Sequence, residues 1–298
     1  MTDKPFSSIR EISSISKDEL EEKSKLHARA ISLGERLVLC KTLTKYKMYL
    51  DSRDLGITPN ILMDGYWESW ITQFIAKTVQ PGNVCIDAGA NFGYYSLLLA
   101  ELAGNEGKTI AVEPNAFLCQ LLSHTNSVNE FKYVIENKAL SDHTGKMMLS
   151  IPNNFWGGAT IRTTQLEEDS TQEMVRVDTL DNIVAHAGVG KVDFIKMDCE
   201  GAEPMIFAGM EKTLQQNPQI KIVMEYSPFL YNDAAAFTHY LFSRFDVSTI
   251  NYDASLTKFS ENDMPHLLAL TDHIDLFLEV KRIYNPVNEE QSAAVNNP

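Results

Sequence analysis

Residues 192–205 read VDFIKMDCEGAEPM. An apolar run from Val192 to Ile195 leads through Lys196 into three carboxylates, Asp198, Glu200 and Glu203, with Gly201 among them. Carboxylates at the end of a buried strand have few chemical uses. They hold a cation, take a proton from a nucleophile, or bind a divalent metal as hard oxygen ligands. Glu225 ends another apolar run, KIVME, and offers a further acid of the same kind. Lys196 either points to the opposite face by strand alternation or tempers the field of the acids.

A second constellation lies upstream in CIDAGANFGYYS, residues 85–96. Asp87 stands at the tip of a short strand, and Gly89 and Gly93 follow, allowing backbone shapes and approaches that a side chain blocks. A dinucleotide loop needs G-x-G-x-x-G with a helix N-terminus facing a pyrophosphate. Here the order is D-x-G-x-N-x-G, and a carboxylate at the strand tip repels a pyrophosphate across a low-dielectric crevice. It attracts a cation instead, and S-adenosyl-L-methionine carries both a sulfonium and an ammonium. Glu113 ends the next strand in AVEPN, where a carboxylate accepts ribose hydroxyls. That position suits NAD equally, so Asp87 and the glycine spacing make the distinction. After a third strand, NKALSD (137–142) offers backbone and the Ser141-Asp142 pair to an adenine edge. The competing readings are a plain strand-to-helix turn at Gly89 and Gly93 and a helix cap at Asp87.

The elements that must position these residues alternate. Short strands are expected at Val84–Asp87, Lys108–Glu113, Tyr133–Ile135, Val192–Lys196, Lys221–Glu225, Phe245–Tyr252 and Ile274–Val280. Helices are expected at Tyr95–Leu102, Asn115–Val128 and Pro204–Leu214. Such alternation predicts an α/β fold, a parallel sheet with helices on both faces. An inserted hairpin, Lys146–Ile151 with Met174–Val177, interrupts it. Ahead of it, residues 1–16 read as a mobile tail, 17–38 as a helix and 38–50 as a strand. This gives an N-terminal extension over 1–50, a main domain over 51–283 and a disordered tail over 284–298.

The 298 residues carry a formal net charge of -14, which disfavours nucleic acid and anionic membrane as partners. Cys40, Cys85, Cys119 and Cys199 form no C-x-x-C pair, so reduced thiols in a cytoplasmic protein are expected. The N-terminus lacks an apolar signal-like segment, and no run of ~18 apolar residues suggests a membrane span. None of the seven histidines sits in a motif, and His143, beside Ser141-Asp142, is the one to test.

Taken together, DGYWES (64–69), CIDAGANFGYYS, AVEPN, NKALSD, VDTLDNIV (177–184), FIKMDCEGAEPMIFAGM (194–210) and IVMEYSP (222–228) resemble the FkbM-type S-adenosylmethionine-dependent methyltransferases. The likeness runs from about Asp54 to about Pro228, and the K-x-D-x-E-G-A-E run is its most specific piece. It implies a Rossmann-like seven-stranded class I methyltransferase sheet with a reversed last strand. It implies that Asp87, Gly89, Ala90, Asn91 and Gly93 hold the methionine part of the cofactor, with Glu113 and Pro114 at the ribose and Ser141 near the adenine. Glu68 matches a family position that closes over the cofactor, whereas core packing competes as the reading of Tyr66 and Trp67. Strand four of such a sheet ends beside the transferred methyl group, so Asp198 is expected to face the cofactor ammonium or the acceptor. Glu200 and Glu225 are the further catalytic candidates, and Glu203 reads as a helix-terminus acid. Asp198 with Glu225 could also bind a divalent metal, but hydrogen-bond acceptance is the favoured reading and no metal ligand is assigned. Trp156, in NFWGGAT, either lines the acceptor pocket or is a hairpin tip.

The expected activity is O-methylation of a small-molecule hydroxyl on a secondary metabolite, polyketide or sugar. N-methylation and a non-catalytic cofactor binder are the alternatives, and a nucleic-acid methyltransferase or an NAD-dependent oxidoreductase stands further off. A homodimer through the N-terminal helix is a further expectation.

Overall fold

The strand tips singled out above lie side by side along one edge of an eight-stranded sheet. The computed structural model describes residues 4–161 and 169–281. In chain order the elements are α1 (Lys17–His27), β1 (Arg29–Ser32), β2 (Leu37–Thr42), β3 (Tyr46–Asp51), α2 (Ile57–Asp64), α3 (Ser69–Thr78), β4 (Val84–Ala88), α4 (Tyr94–Ala103), β5 (Lys108–Val112), α5 (Ala116–Val128), β6 (Val134–Glu136) and β7 (Ala139–Leu140). They continue with β8 (Gly145–Pro152), β9 (Ser170–Asp178), α6 (Leu180–His186), β10 (Phe194–Met197), α7 (Glu203–Ala208), α8 (Glu211–Gln216), β11 (Lys221–Tyr226), α9 (Ala234–Arg244), β12 (Phe245–Ile250), β13 (Leu256–Lys258), α10 (Met264–Leu268) and β14 (Ile274–Val280).

The sheet order is β13-β12-β14-β11-β10-β4-β5-β6. From β6 to β11 neighbouring strands run parallel, and β14 inserts antiparallel between β11 and β12. This is the expected α/β sheet with its reversed last strand. It gains an eighth strand, the short exposed β13, which hairpins off β12. Successive side chains of a strand face opposite ways. Ile86, Ala88, Ile195, Met197, Ile222 and Met224 therefore join one core with α6, α7 and α9. Cys85, Phe194, Val223 and Phe277 join another with α3, α4 and α5. Helices thus cover both faces.

The insertion is a hairpin as expected. Strands β8 and β9 pair antiparallel, and β7 adds parallel to β9 in a separate three-stranded sheet. The amino-terminal region differs from its reading. Residues 4–16 are packed: Phe6, Ile9 and Ile12 are buried, and the Gln73 amide donates to the carbonyls of Ile12 and Ile15. The expected 17–38 helix stops at His27, and residues 29–51 form the antiparallel meander β1-β2-β3. Val38, Cys40 and Thr42 alternate inward at the strand period, so the expected 38–50 strand is present as β2 and β3, whereas the helix-like spacing of Leu26, Ala30 and Leu37 masked β1. The expected Pro204–Leu214 helix breaks into α7 and α8 at Gly209, where an added Cβ would stand 2.2 Å from the Ser141 carbonyl oxygen. The tail expected at 284–298 lies outside the described residues. No helix among the described residues is long and apolar enough to cross a membrane.

Candidate active site

A cavity of about 460 Å³ opens where the parallel strands end, within the size range of small-ligand sites. Its floor begins at the loop after β4. Gly89 has φ +81°, and a Cβ there would lie 1.8 Å from the Asp198 carbonyl oxygen, so only glycine lets the β4 and β10 loops abut. A Cβ on Gly93 (φ +88°) would strike the Leu122 side chain at 2.2 Å. The loop amides of Gly89 and Ala90 both donate to the Val112 carbonyl at 3.0 Å. Gly89, Ala90 and Asn91 line the cavity, and Gly93 shapes the turn behind them.

Glu113 lines it at the tip of β5. Its two oxygens accept from the backbone N–H of Asn91 (2.9 Å) and of Asn115 (2.8 Å). Burial pushes its pKa up to about 7 despite those two donors. Each carboxylate oxygen keeps a second acceptor position, so a diol can still be received. Pro114, Ala139 and Leu140 supply apolar walls nearby, and Lys138 lines the same end, held by Asp178 (3.0 Å) and Glu136 (3.2 Å).

Besides Gly93, two further predicted cofactor residues sit off the cavity. Asp87 is buried beneath the loop, accepts from Ser96 Oγ at 2.5 Å, and does not line the cavity. Burial pushes its pKa up to about 6. Ser141 is also fully buried off the cavity, because the short strand β7 pairs with β9 and turns the chain one step early. Ala139 and Leu140 take the place expected of it.

Glu68 does line the cavity. It enters α3 with a left-handed backbone (φ +37°) and accepts from the Tyr95 hydroxyl at 2.5 Å. Burial and Asp275 push its pKa up to about 7, opposed by Lys196. Trp67 lines the cavity too, while Tyr66 packs behind it in the core.

The acids of the opening motif meet at the far end. Carboxylate oxygens of Asp198, Glu200 and Glu225 come within 4.8 Å of one another. That spacing suits a divalent cation, yet acids gather this closely in many sites, so the cluster alone assigns no metal. Burial pushes Glu225 well up, and Asp198 and Glu200 push it further. Ser227 Oγ donates to it at 3.1 Å. Glu203 stands apart at the start of α7, buried, accepting from the Cys199 N–H at 2.8 Å, which matches its reading as a helix-terminus acid. Lys196 and Asp198 share one face by strand alternation, and the Lys196 ammonium lies 3.5 Å from Asp198 Oδ2.

The roof comes from the insertion. Trp156 and Phe155 line the cavity from its tip, the Trp156 backbone N–H donates to Asp54 Oδ1 (3.3 Å), and the Leu55 backbone N–H donates to the Asn154 carbonyl (2.8 Å). Trp156 is therefore both hairpin tip and wall. Phe229, Leu230 and His273 form the opposite rim. His273 was not singled out in the sequence, whereas His143 is exposed, paired with Asp142 at 2.6 Å, and absent from the cavity. A signal for His273 would have required knowing that β14 runs antiparallel to β11, which sets Ile274 opposite Tyr226.

The donor set fits S-adenosylmethionine. A carboxylate with spare acceptor positions stands at the β5 tip, apolar walls flank it, and acids for a sulfonium and an ammonium lie beyond the glycine loop.

A family profile described as the methyltransferase FkbM domain matches residues 87–280. A search of curated proteins gives no match. Among solved structures, a methyltransferase FkbM from Methylobacillus flagellatus KT aligns at TM-score 0.42 and 13% identity, covering 70% of this chain and 53% of that one. The chain thus spans about half the length of that relative. An O-methyltransferase from Bacillus cereus in complex with SAH aligns at TM-score 0.37 and 13% identity, covering 67% of this chain and 74% of that one. A Pyrococcus abyssi tRNA (uracil-54, C5)-methyltransferase in complex with S-adenosyl-L-homocysteine aligns at TM-score 0.42 and 11% identity, covering 83% and 45%. The profile spans β4 through β14, the whole run of strands that carries the cavity, and this chain belongs to the FkbM family of S-adenosylmethionine-dependent methyltransferases.

Proposed function

We propose that the chain transfers a methyl group to a hydroxyl of a small molecule, with Asp198 as the group that receives the hydroxyl proton. The carrying observation is the gathering of Asp198, Glu200 and Glu225 at the end of a cavity whose rim is aromatic and apolar. When bound, S-adenosylmethionine supplies an electrophilic methyl on a sulfonium. The chain's own residues do the rest. Glu113 receives the ribose hydroxyls, Pro114 and Leu140 flank the purine, and the loop Gly89-Ala90-Asn91 shapes the floor. Glu68 and Asp198 face the cationic end. Asp87 acts from beneath the loop, through Ser96 and the charge it lends the strand tip. Alignment of the hydroxyl with the S–CH₃ bond by the rim can supply ~7–11 kcal/mol. Glu225, pushed up by its acid neighbours, holds its proton at neutral pH and serves as a hydrogen-bond donor rather than the base.

The same acids would also receive an amine, which makes N-methylation the second reading. A polyanionic acceptor would meet repulsion from these carboxylates and from the net charge of -14.

The test uses the purified chain with S-adenosylmethionine carrying a labelled methyl group, and a panel of apolar alcohols and phenols, amines, and RNA. Label in a new methyl ether supports the proposal. Label only on nitrogen, or only in RNA, overturns it, and binding without transfer to any acceptor would favour a non-catalytic role.

A further inference from the structure

Lys196 is the only lysine or arginine buried among the described residues. It stands on β10 between Asp87 of β4 and Val223 of β11. Its ammonium lies 3.5 Å from Asp198 Oδ2 and 5.2 Å from the centre of the Tyr95 ring, whose hydroxyl donates to Glu68. Glu68, Asp275 and Glu225 also act on it electrostatically, and Asp87 feels its charge in turn. Burying an ammonium is costly unless it is paired. A methionine of similar length would occupy the same space without that cost. The transfer outlined above gives Lys196 no contact with the acceptor, so its charge must serve the acids.

We propose that Lys196 is the positioning residue of the acid cluster, its ammonium fixing Asp198 in place and offsetting the mutual repulsion of the acids so that a cationic ligand meets a preformed site. The inference rests on the reading of Asp198 as facing the transfer. Glu68, Asp198, Glu200 and Glu225 line the cavity and Asp275 acts on Glu68 from behind it, and like charges brought together in this way hold protons. One internal cation offsets that repulsion, and Asp198 is the acid it pairs with, at 3.5 Å. Burial works against the ammonium, but Asp198 and then Glu68, Asp275 and Glu225 hold its pKa above the usual lysine range. The cation therefore persists wherever the acids do.

The experiment is calorimetric titration of the full chain with S-adenosylmethionine and with S-adenosylhomocysteine across a pH series, in two buffers of different ionisation enthalpy. Wild type is expected to bind the sulfonium with little proton release near neutral pH. K196M should release protons on binding, and its affinity should begin to fall about 1–3 pH units higher than wild type. K196R should restore the wild-type profile. A lysine with a merely structural role would lower affinity equally at every pH. A folded K196M with the wild-type midpoint overturns the proposal. Should K196M fail to fold, K196Q asks the same question with a polar side chain: its affinity for the sulfonium ligand should begin to fall at the same raised pH. A folded K196Q with the wild-type midpoint overturns the proposal as well. A wild-type chain that binds neither ligand would instead sink the reading of the cavity itself.

Discussion

Glu113 makes the best-defined contacts in the cavity, one backbone donor on each oxygen. In E113Q the shape survives, but the amide NH₂ must face either Asn91 or Asn115 N–H, donor against donor. Hydrogen bonds to a charged group contribute about 1.5–3 kcal/mol, so S-adenosylhomocysteine affinity should fall roughly 10–100-fold. Calorimetry that finds it within twofold of wild type would remove Glu113 from the ribose role. Asp198 is predicted to act differently. D198N should lower turnover by about 10²-fold or more, as loss of a positioned base does, while binding of the neutral product stays within a few-fold. If kcat with the acceptor identified by the labelled-methyl panel barely changes, Asp198 is not the base.

Among the elements, the β4–α4 turn sets the tightest geometric demand. Gly82 and Gly89 have nearly the same backbone, φ +82° and +81°, yet a Cβ on Gly82 would meet nothing within 4 Å. G82A should therefore cost about 1–2 kcal/mol, the left-handed strain alone. G89A adds the collision with the Asp198 carbonyl, so at least about 3 kcal/mol is expected, with ligand binding lost. Equal costs in denaturant titrations would show that the two loops can part freely. This pairing also explains what the sequence discloses and what it hides. Strand tips are legible because an apolar run ends in an acid, as at Asp87, Glu113 and Glu225. What depends on a distant partner is not. Ser141 leaves the cavity because Ala139 pairs with Val177, and α7 parts from α8 because Gly209 sits against Ser141. The charge on Lys196 is sustained first by Asp198, two residues on, and then by Glu68 and Asp275, far off in sequence. Strand β1 hid behind a helix-like spacing of three apolar residues.

For the whole molecule, the N-terminal elements share a core with the sheet-covering helices, since Phe6, Ile12, Leu20 and Met48 pack in one cluster with Ile75 and Leu98. A dimer through α1 would have to use its outer face of Asp18, Glu22, Lys25 and the exposed Leu26, because Leu20 and Ser24 already face inward. Buried acids in and behind the cavity tie this shared stability to pH. Burial is the first cause of the raised values of Glu68, Glu113 and Glu203, each about 7, and of Asp87, about 6. An acid with a raised folded value binds more protons folded than unfolded, so ionising it opposes folding. The stability given by the protonated forms is complete below the unfolded values of 3.8 and 4.5 and is lost as pH rises through about 6 to 7. Acids with lowered values, such as Asp178 and Glu21, work in the opposite sense but below that window. The ligand-free Tm should therefore fall between about pH 5 and pH 8, by at least the ~2–4 °C that 1 kcal/mol represents in a chain of this size. Saturating S-adenosylmethionine should flatten the decline, because its cationic end compensates the acids that ionise. Melting curves that are level or rise with pH in the ligand-free chain would mean that these carboxylates are already compensated without a ligand.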